Sequence, residues 1–187
     1  MDLILASGSP RRATLLDSIG LTFRVVIPDV DESRLPDEEP DHYVERVARL
    51  KASVVDEPDA VVIAADTTVV HDGRVLGKPE HPGEARTMLS RLSGDSHVVF
   101  TGVAVSAGGS MSSMVDRSLV RLVEMTDNEI DRYVATGEPM DKAGAYALQG
   151  VGGMFVASVE GSASNVIGLP LHIAALLLRA HGLDPLG

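Results

Sequence analysis

Leu3-Ile4-Leu5-Ala6-Ser7-Gly8-Ser9-Pro10-Arg11-Arg12 is the stretch whose reading decides the fold. Leu3-Ile4-Leu5 predicts a buried strand, and Ala13 to Ile19 predicts a helix stopped by Gly20. Hydroxyls, a glycine, a proline and two guanidinium groups therefore sit where a strand feeds a helix. Backbone N–H groups at a helix start carry partial positive charge and favour anions. Gly8 lets the backbone approach a ligand closely, and Pro10 suits the first helical position, where no N–H is needed. Adjacent arginines add fork-shaped donors matched to phosphate oxygens. Two readings stay open on this stretch alone: a phosphate cradle, or an ordinary turn with Ser9 as N-cap and the arginines on a wet helix face. Neither GxxxxGK[ST] nor GxGxxG spacing is present, so the rest of the chain must decide.

Outward from this turn, Thr22 to Ile27 predicts a second strand with Phe23, Val25 and Ile27 on one face. An acidic, proline-bearing loop follows from Pro28 to Pro40 and contains Asp31 and Glu32. Such loops are most simply read as solvated. Asp41 is read as the N-cap of a helix from His42 to about Val54. Lys51 continues the apolar stripe of Val44, Val47 and Ala48, so it must either snorkel out or meet an anion. Ala60 to Ala65 is a continuous apolar run, as expected of a strand covered on both faces. It meets Asp66, while Thr67 to Val70 continues the extended pattern. Ligands gather at the carboxyl ends of strands in open α/β sheets, which makes Asp66 a site candidate.

Val69 to Val75 predicts a hairpin around Asp72-Gly73, leading to Lys78 between Gly77 and Pro79. Pro82 opens a further helix, and His97 to Ser106 and Met111 to Val123 predict an antiparallel pair joined by Gly108-Gly109. Thr126-Asp127-Asn128-Glu129 is a capping box. Thr136 to Pro170 is glycine-rich without being low in complexity, and reads as ordered functional loops. A final apolar helix runs from Leu169 to about His181.

Composition bounds the function. The chain has 187 residues, 44% of them hydrophobic and 23% charged, which predicts a single globular domain over 1–187, or one with a small subdomain. No apolar segment reaches the ~20 residues a membrane span needs. Met1-Asp2 runs straight into the first strand without a signal-peptide pattern. The absence of cysteine excludes disulfides and thiolate metal sites and fits a cytoplasmic location. A formal charge of −11 and 3% aromatics argue against nucleic-acid binding, which needs basic surface and stacking platforms. Scattered histidines without an HExxH pair, and no GxSxG elbow, leave little support for zinc or covalent chemistry.

Arg11, Arg12, Lys51, Lys78 and Lys142, with Asp31, Glu32, Asp66 and Asp141, fall in loops, at element ends or on a core-facing stripe. Polyphosphate binding needs such cations, and its hydrolysis needs a hard metal, Mg²⁺ or Mn²⁺, held by carboxylates and phosphate oxygens. Water attack assisted by metal and carboxylate is the chemistry left standing.

These motifs together resemble the Maf family of nucleoside triphosphate pyrophosphatases from Leu3 to about Pro170. The resemblance is carried by Ala6 to Arg12, Val30-Asp31-Glu32, Lys51, Ala65-Asp66-Thr67 and Gly77-Lys78-Pro79. It continues through Ser93-Gly94 to Thr101-Gly102, Asp141 to Tyr146, Gln149-Gly150 and Ser164 to Pro170. It implies an α/β fold of the Maf and ITPase kind: an elongated, mixed, twisted sheet flanked by helices, with two lobes and a central cleft. It implies hydrolysis of a nucleoside triphosphate to the monophosphate and pyrophosphate. Ser7, Arg12, Lys51 and Lys78 would hold phosphates. Glu32 and Asp66 would bind metal or activate water, Asp66 being the family's usual proton acceptor, so that Asp66, Glu32, Lys51 and Lys78 form the catalytic set. Arg11, Thr67 and Gln149 match the branch of the family acting on dTTP and UTP. The branch acting on 7-methyl-GTP resembles tryptophan, glutamine and glutamate at these positions. A glutamine offers both donor and acceptor, as a uracil or thymine edge requires. The resemblance also implies a homodimer, possible action on modified nucleotides, and, as an alternative class, a regulatory role in cell division or septum arrest.

Overall fold

The apolar runs become strands of one mixed sheet. The computed structural model describes residues 2–187. Its elements in chain order are β1 (Asp2–Ala6), α1 (Pro10–Ser18), β2 (Arg24–Val26), α2 (Pro40–Ser53), β3 (Ala60–His71), β4 (Arg74–Leu76) and α3 (Pro82–Leu92). There follow β5 (Ser96–Ala107), β6 (Ser110–Leu122), α4 (Asp127–Ala135), β7 (Val156–Glu160), α5 (Ala163–Ile167) and α6 (Leu171–Ala180). The sheet order is β2-β1-β3-β5-β6-β7, with β4 hairpinned onto β3. β1 pairs in parallel with both β2 and β3, and Ala6 stands level with Val26 and Ala64. The carboxyl ends of β1 and β2 therefore emerge together, beside the middle of β3 where Asp66 stands.

The chain forms two compact units, each discontinuous in sequence. The first runs to Thr67 and resumes at Thr101–Asp116 and Gly168–Gly187; the second comprises Thr68–Phe100 and Arg117–Ile167. The first contains a core in which Ala48 and Ala52 of α2 pack with Ile4, Val62, Ala64 and Ala104 of the strands. The second is built around Leu89, Leu92, Val120, Ile130, Tyr133 and Phe155. Small residues on α2 allow its axis close to the sheet. At Gly102 of β5 the approach is so tight that a Cβ would lie 2.4 Å from the Val44 carbonyl oxygen.

Several boundaries differ from expectation, each for a physical reason. α1 begins at Pro10, the first helical position expected of it, because proline's fixed φ already fits the first helical turn, and it ends at Ser18. α2 begins at Pro40 for the same reason, leaving Glu39 as N-cap and Asp41 in the first turn. β2 has three residues; as the outer strand it packs only Val26 partly against the core, and leaves Val25, and Ile27 just beyond it, exposed. The expected loop from Thr136 to Pro170 contains a strand and a short helix, β7 and α5, besides short 3₁₀ turns. The Asp72-Gly73 hairpin is as expected, with φ of 48° and 71° at its two turn residues.

Candidate active site

The opening turn is organised around Arg12. Its guanidinium is buried and donates from Nε to the Gly168 carbonyl at 2.8 Å, from Nη1 to Ser7 Oγ at 3.1 Å and from Nη2 to Thr67 Oγ1 at 3.1 Å. Ser7 Oγ also accepts the Ser9 N–H at 3.2 Å, so this hydroxyl pins the turn to the first helical residues. Ser9 occupies the N-cap position, yet its side chain makes no capping bond. The simple capping alternative is thus not the one adopted. Thr67 Oγ1 reaches Thr101 Oγ1 at 3.0 Å, extending the polar group onto β5. Burial lowers the Arg12 pKa and the neighbouring Arg11 adds to this, against Asp66 and Glu32. A guanidinium starts so high that it stays charged.

Lys51 does meet an anion. It lies on the inward face of α2 with 6% of its surface exposed. Its Nζ donates to Asp66 Oδ1 at 2.8 Å and to Glu32 Oε2 at 2.7 Å. Asp66, 7% exposed, interrupts the apolar run of β3. Burial raises its pKa, against the opposing effects of Lys51 and Arg12. Desolvation of a carboxylate in this way is how proteins prepare one to take up a proton.

Glu32 is brought there by a loop that is fixed instead of merely solvated. Tyr43 Oη donates to the Glu32 carbonyl at 2.9 Å, and Arg46 grips both Glu38 carboxylate oxygens at 2.6 and 2.9 Å and the Ser33 carbonyl at 2.9 Å. That bidentate grip is the main reason the Glu38 pKa falls to about 2, although partial burial works the other way. Arg34 closes the loop on the Glu38 carbonyl. Asp31 faces solvent and accepts the Ser33 N–H at 2.9 Å, which is a turn contact.

Asp66, Glu32, Lys51 and Arg12 therefore form one interacting group in the first unit, with Ser7 and Thr67 attached through Arg12. Two cations against two carboxylates leave it formally neutral. The second oxygens, Glu32 Oε1 and Asp66 Oδ2, make no hydrogen bond to another described residue. Hard carboxylate oxygens of this kind suit Mg²⁺ or Mn²⁺. Arg11 is part-buried beside Arg12. Lys78 and Gln149 belong to the second unit, where both are exposed. Lys142 is committed to the Glu138 carbonyl at 2.7 Å and to Asp141. Among the described residues, His71, Asp72 and Asp95 also lie close enough to share a cation. There, however, His71 Nε2 already pairs with Asp95 at 3.0 Å.

Sequence reasoning did not single out the Gly168 carbonyl or Thr101 as partners of the arginine cradle. Both fall in motifs that carry the resemblance, but a backbone acceptor 156 residues away from Arg12 has no local sequence signal.

Comparison with known proteins identifies the family. The family model described as Maf-like protein matches residues 2–181. A protein of Anaeromyxobacter dehalogenans named dTTP/UTP pyrophosphatase is 54% identical over 96% of this chain and 94% of its own length. Proteins of the same name from Pseudoalteromonas atlantica and Hahella chejuensis are each 47% identical. They cover 94% and 97% of this chain, and 95% and 92% of their own lengths, respectively. Among solved structures, the Staphylococcus aureus Ham1 protein aligns at 12% identity with a TM-score of 0.44, over 65% of this chain and 72% of that one. That likeness is too slight to bear on function.

Proposed function

Because the chain belongs to the Maf family, we propose that it is a nucleoside triphosphate pyrophosphatase acting on dTTP and UTP. The reaction splits the bond between the α and β phosphates, giving the monophosphate and pyrophosphate. The observation that supports it most is the buried Lys51–Asp66 pair set beside the Arg12 cradle. In this reading a desolvated carboxylate, held by one cation and neighboured by another, takes a proton from attacking water while the cations meet phosphate oxygens.

Ser7, Arg12 and Lys51 hold the phosphates in this reading, with Lys78 added from the resemblance. The Arg12–Lys51–Glu32–Asp66 group is neutral, so a triphosphate requires more positive charge than these residues supply. Glu32 and Asp66 would hold Mg²⁺ or Mn²⁺, which supplies charge neutralisation on the phosphates when bound. Arg11, Thr67 and Gln149 are assigned to the choice of base. The relatives named dTTP/UTP pyrophosphatase support this pyrimidine set.

Product analysis tests the proposal. With dTTP and Mg²⁺ the products should be dTMP and pyrophosphate. Release of dTDP and phosphate, or a clear preference for 7-methyl-GTP across a panel of triphosphates, would overturn it. Asp66→Asn should abolish turnover while dTTP still binds; full activity in that variant would remove Asp66 from catalysis.

A further inference from the structure

We propose that Glu138 is the positioning residue for base selection: its carboxylate clasps the loop that carries Gln149. The inference rests on the reading that Gln149 meets the base. Glu138 belongs to a short 3₁₀ turn, Glu138–Asp141, directly after α4. Its Oε1 accepts the Val151 N–H at 3.0 Å, and its Oε2 accepts the Gly152 N–H at 2.8 Å. These are the first two N–H groups of the 3₁₀ turn Val151–Phe155, which have no acceptor within that turn. A carboxylate thirteen and fourteen residues earlier in the chain therefore caps the turn that follows Gln149-Gly150.

The clasp has a second member. Tyr133 Oη donates to Glu138 Oε2 at 2.7 Å and accepts the Ala147 N–H at 3.1 Å, so the loop is held on both sides of Gln149. Tyr133 is buried, which fixes the whole arrangement to the core of the second unit. Gly150 has φ of 103°, and a Cβ there would lie 2.1 Å from Glu138 Oε1. A Cβ at Gly152 would lie 2.3 Å from Tyr133 Oη. The loop's glycines are thus fitted to the two side chains that hold it. Burial works to raise the Glu138 pKa, but hydrogen bonds from Tyr133, Gly152 and Val151 keep it below its ordinary value, so the carboxylate stays ionised and accepts all three.

Gln149 itself is exposed. An exposed amide selects a base only if its backbone is held in one place, since a misplaced hydrogen-bonding group loses its discrimination. Glu138 supplies that fixity without contact with the substrate.

The test compares kcat/KM for dTTP and UTP with that for GTP in wild type, Glu138→Gln, Tyr133→Phe and Gln149→Ala. The ratio is independent of how much protein is folded, so a merely structural role would leave it unchanged. Glu138→Gln should lower the dTTP-to-GTP ratio about tenfold, chiefly through KM for dTTP. Tyr133→Phe, which keeps the ring and removes one loop contact, should shift it in the same direction by less, and carries the test if the glutamine variant does not fold. A wild-type ratio in these two variants, beside a flattened ratio in Gln149→Ala, would overturn the positioning role alone. An unchanged ratio in Gln149→Ala would overturn the base reading, and this inference with it.

Discussion

Gly102→Ala is the change that tests how closely the packing of α2 governs the chemistry. The new methyl group would lie 2.4 Å from the Val44 carbonyl oxygen, 2.5 Å from its carbon and 2.7 Å from the Glu45 nitrogen. All three are backbone atoms, so no rotamer change relieves the overlap. Ordinary contact begins near about 3.5 Å, and the helix must therefore retreat by about 1 Å. Lys51 stands two turns further along the same helix, with hydrogen bonds of 2.7 and 2.8 Å to Glu32 and Asp66. A retreat of that size takes both beyond good hydrogen-bonding distance. Overpacking of this kind costs about 1–3 kcal/mol, or a fall of roughly 3–10 °C in melting temperature for a chain of this size. Misplacement of Lys51 should lower kcat/KM for dTTP about a hundredfold. Thermal denaturation and steady-state kinetics read the two effects separately. A variant that melts early but keeps wild-type kinetics would refute the link from Gly102 to Lys51.

Other expectations follow from the site and the core. If Asp66 is the proton acceptor proposed above, its raised pKa should put the acid limb of the kcat/KM profile above the ordinary aspartate value, since only the ionised form accepts a proton; full activity down to about pH 4 would contradict this. Arg12→Lys loses the fork that reaches Ser7, Thr67 and Gly168 together, and should raise KM for dTTP at least about tenfold while charge is conserved. An unchanged KM would move the phosphates elsewhere. His97 is buried, hydrogen-bonded to Tyr146 Oη at 2.7 Å, and burial, with His71 contributing, pushes its pKa to about 4. Its folded pKa lies below its unfolded one, so the folded chain resists protonation. Stability is then highest above about pH 6.5 and falls by about 3 kcal/mol as the pH drops towards 4. Urea midpoints at pH 7.5 and 4.5 should converge in His97→Gln relative to wild type, and equal pH dependence in both would count against the assignment.

How much of this was legible depends on the range of each signal. The strand–helix turn, the buried run before Asp66 and the capping box at Thr126 are local patterns, and all three are present as read. Lys51 was legible because a lysine on an apolar stripe is an anomaly that demands a partner, although its partners, 15 and 19 residues away, were not indicated by spacing. β2 was over-extended because alternation alone does not distinguish a buried face from an edge. β7 and α5 were hidden because glycines on either side mask short elements. The acidic loop has the composition of a solvated one because its fixing residues, Tyr43 and Arg46, lie on a helix beyond it. The Glu138 clasp has no sequence signal for the same reason: a carboxylate that caps a distant turn leaves no periodicity.

The arginine cradle also has a consequence for the lifetime of bound products. Three of the five N–H groups of Arg12 are already taken by Gly168, Ser7 and Thr67, and the Lys51 ammonium is shared by two carboxylates. On the proposed assignment, an arriving phosphate would exchange partners with these groups more than it added new bonds, each exchange netting only about 1 kcal/mol. The same partners stand ready to reclaim the cations once the anhydride is cut. Cations already paired within the protein would give up tight binding in exchange for rapid turnover, because two anionic products could leave without stranding buried charge behind them.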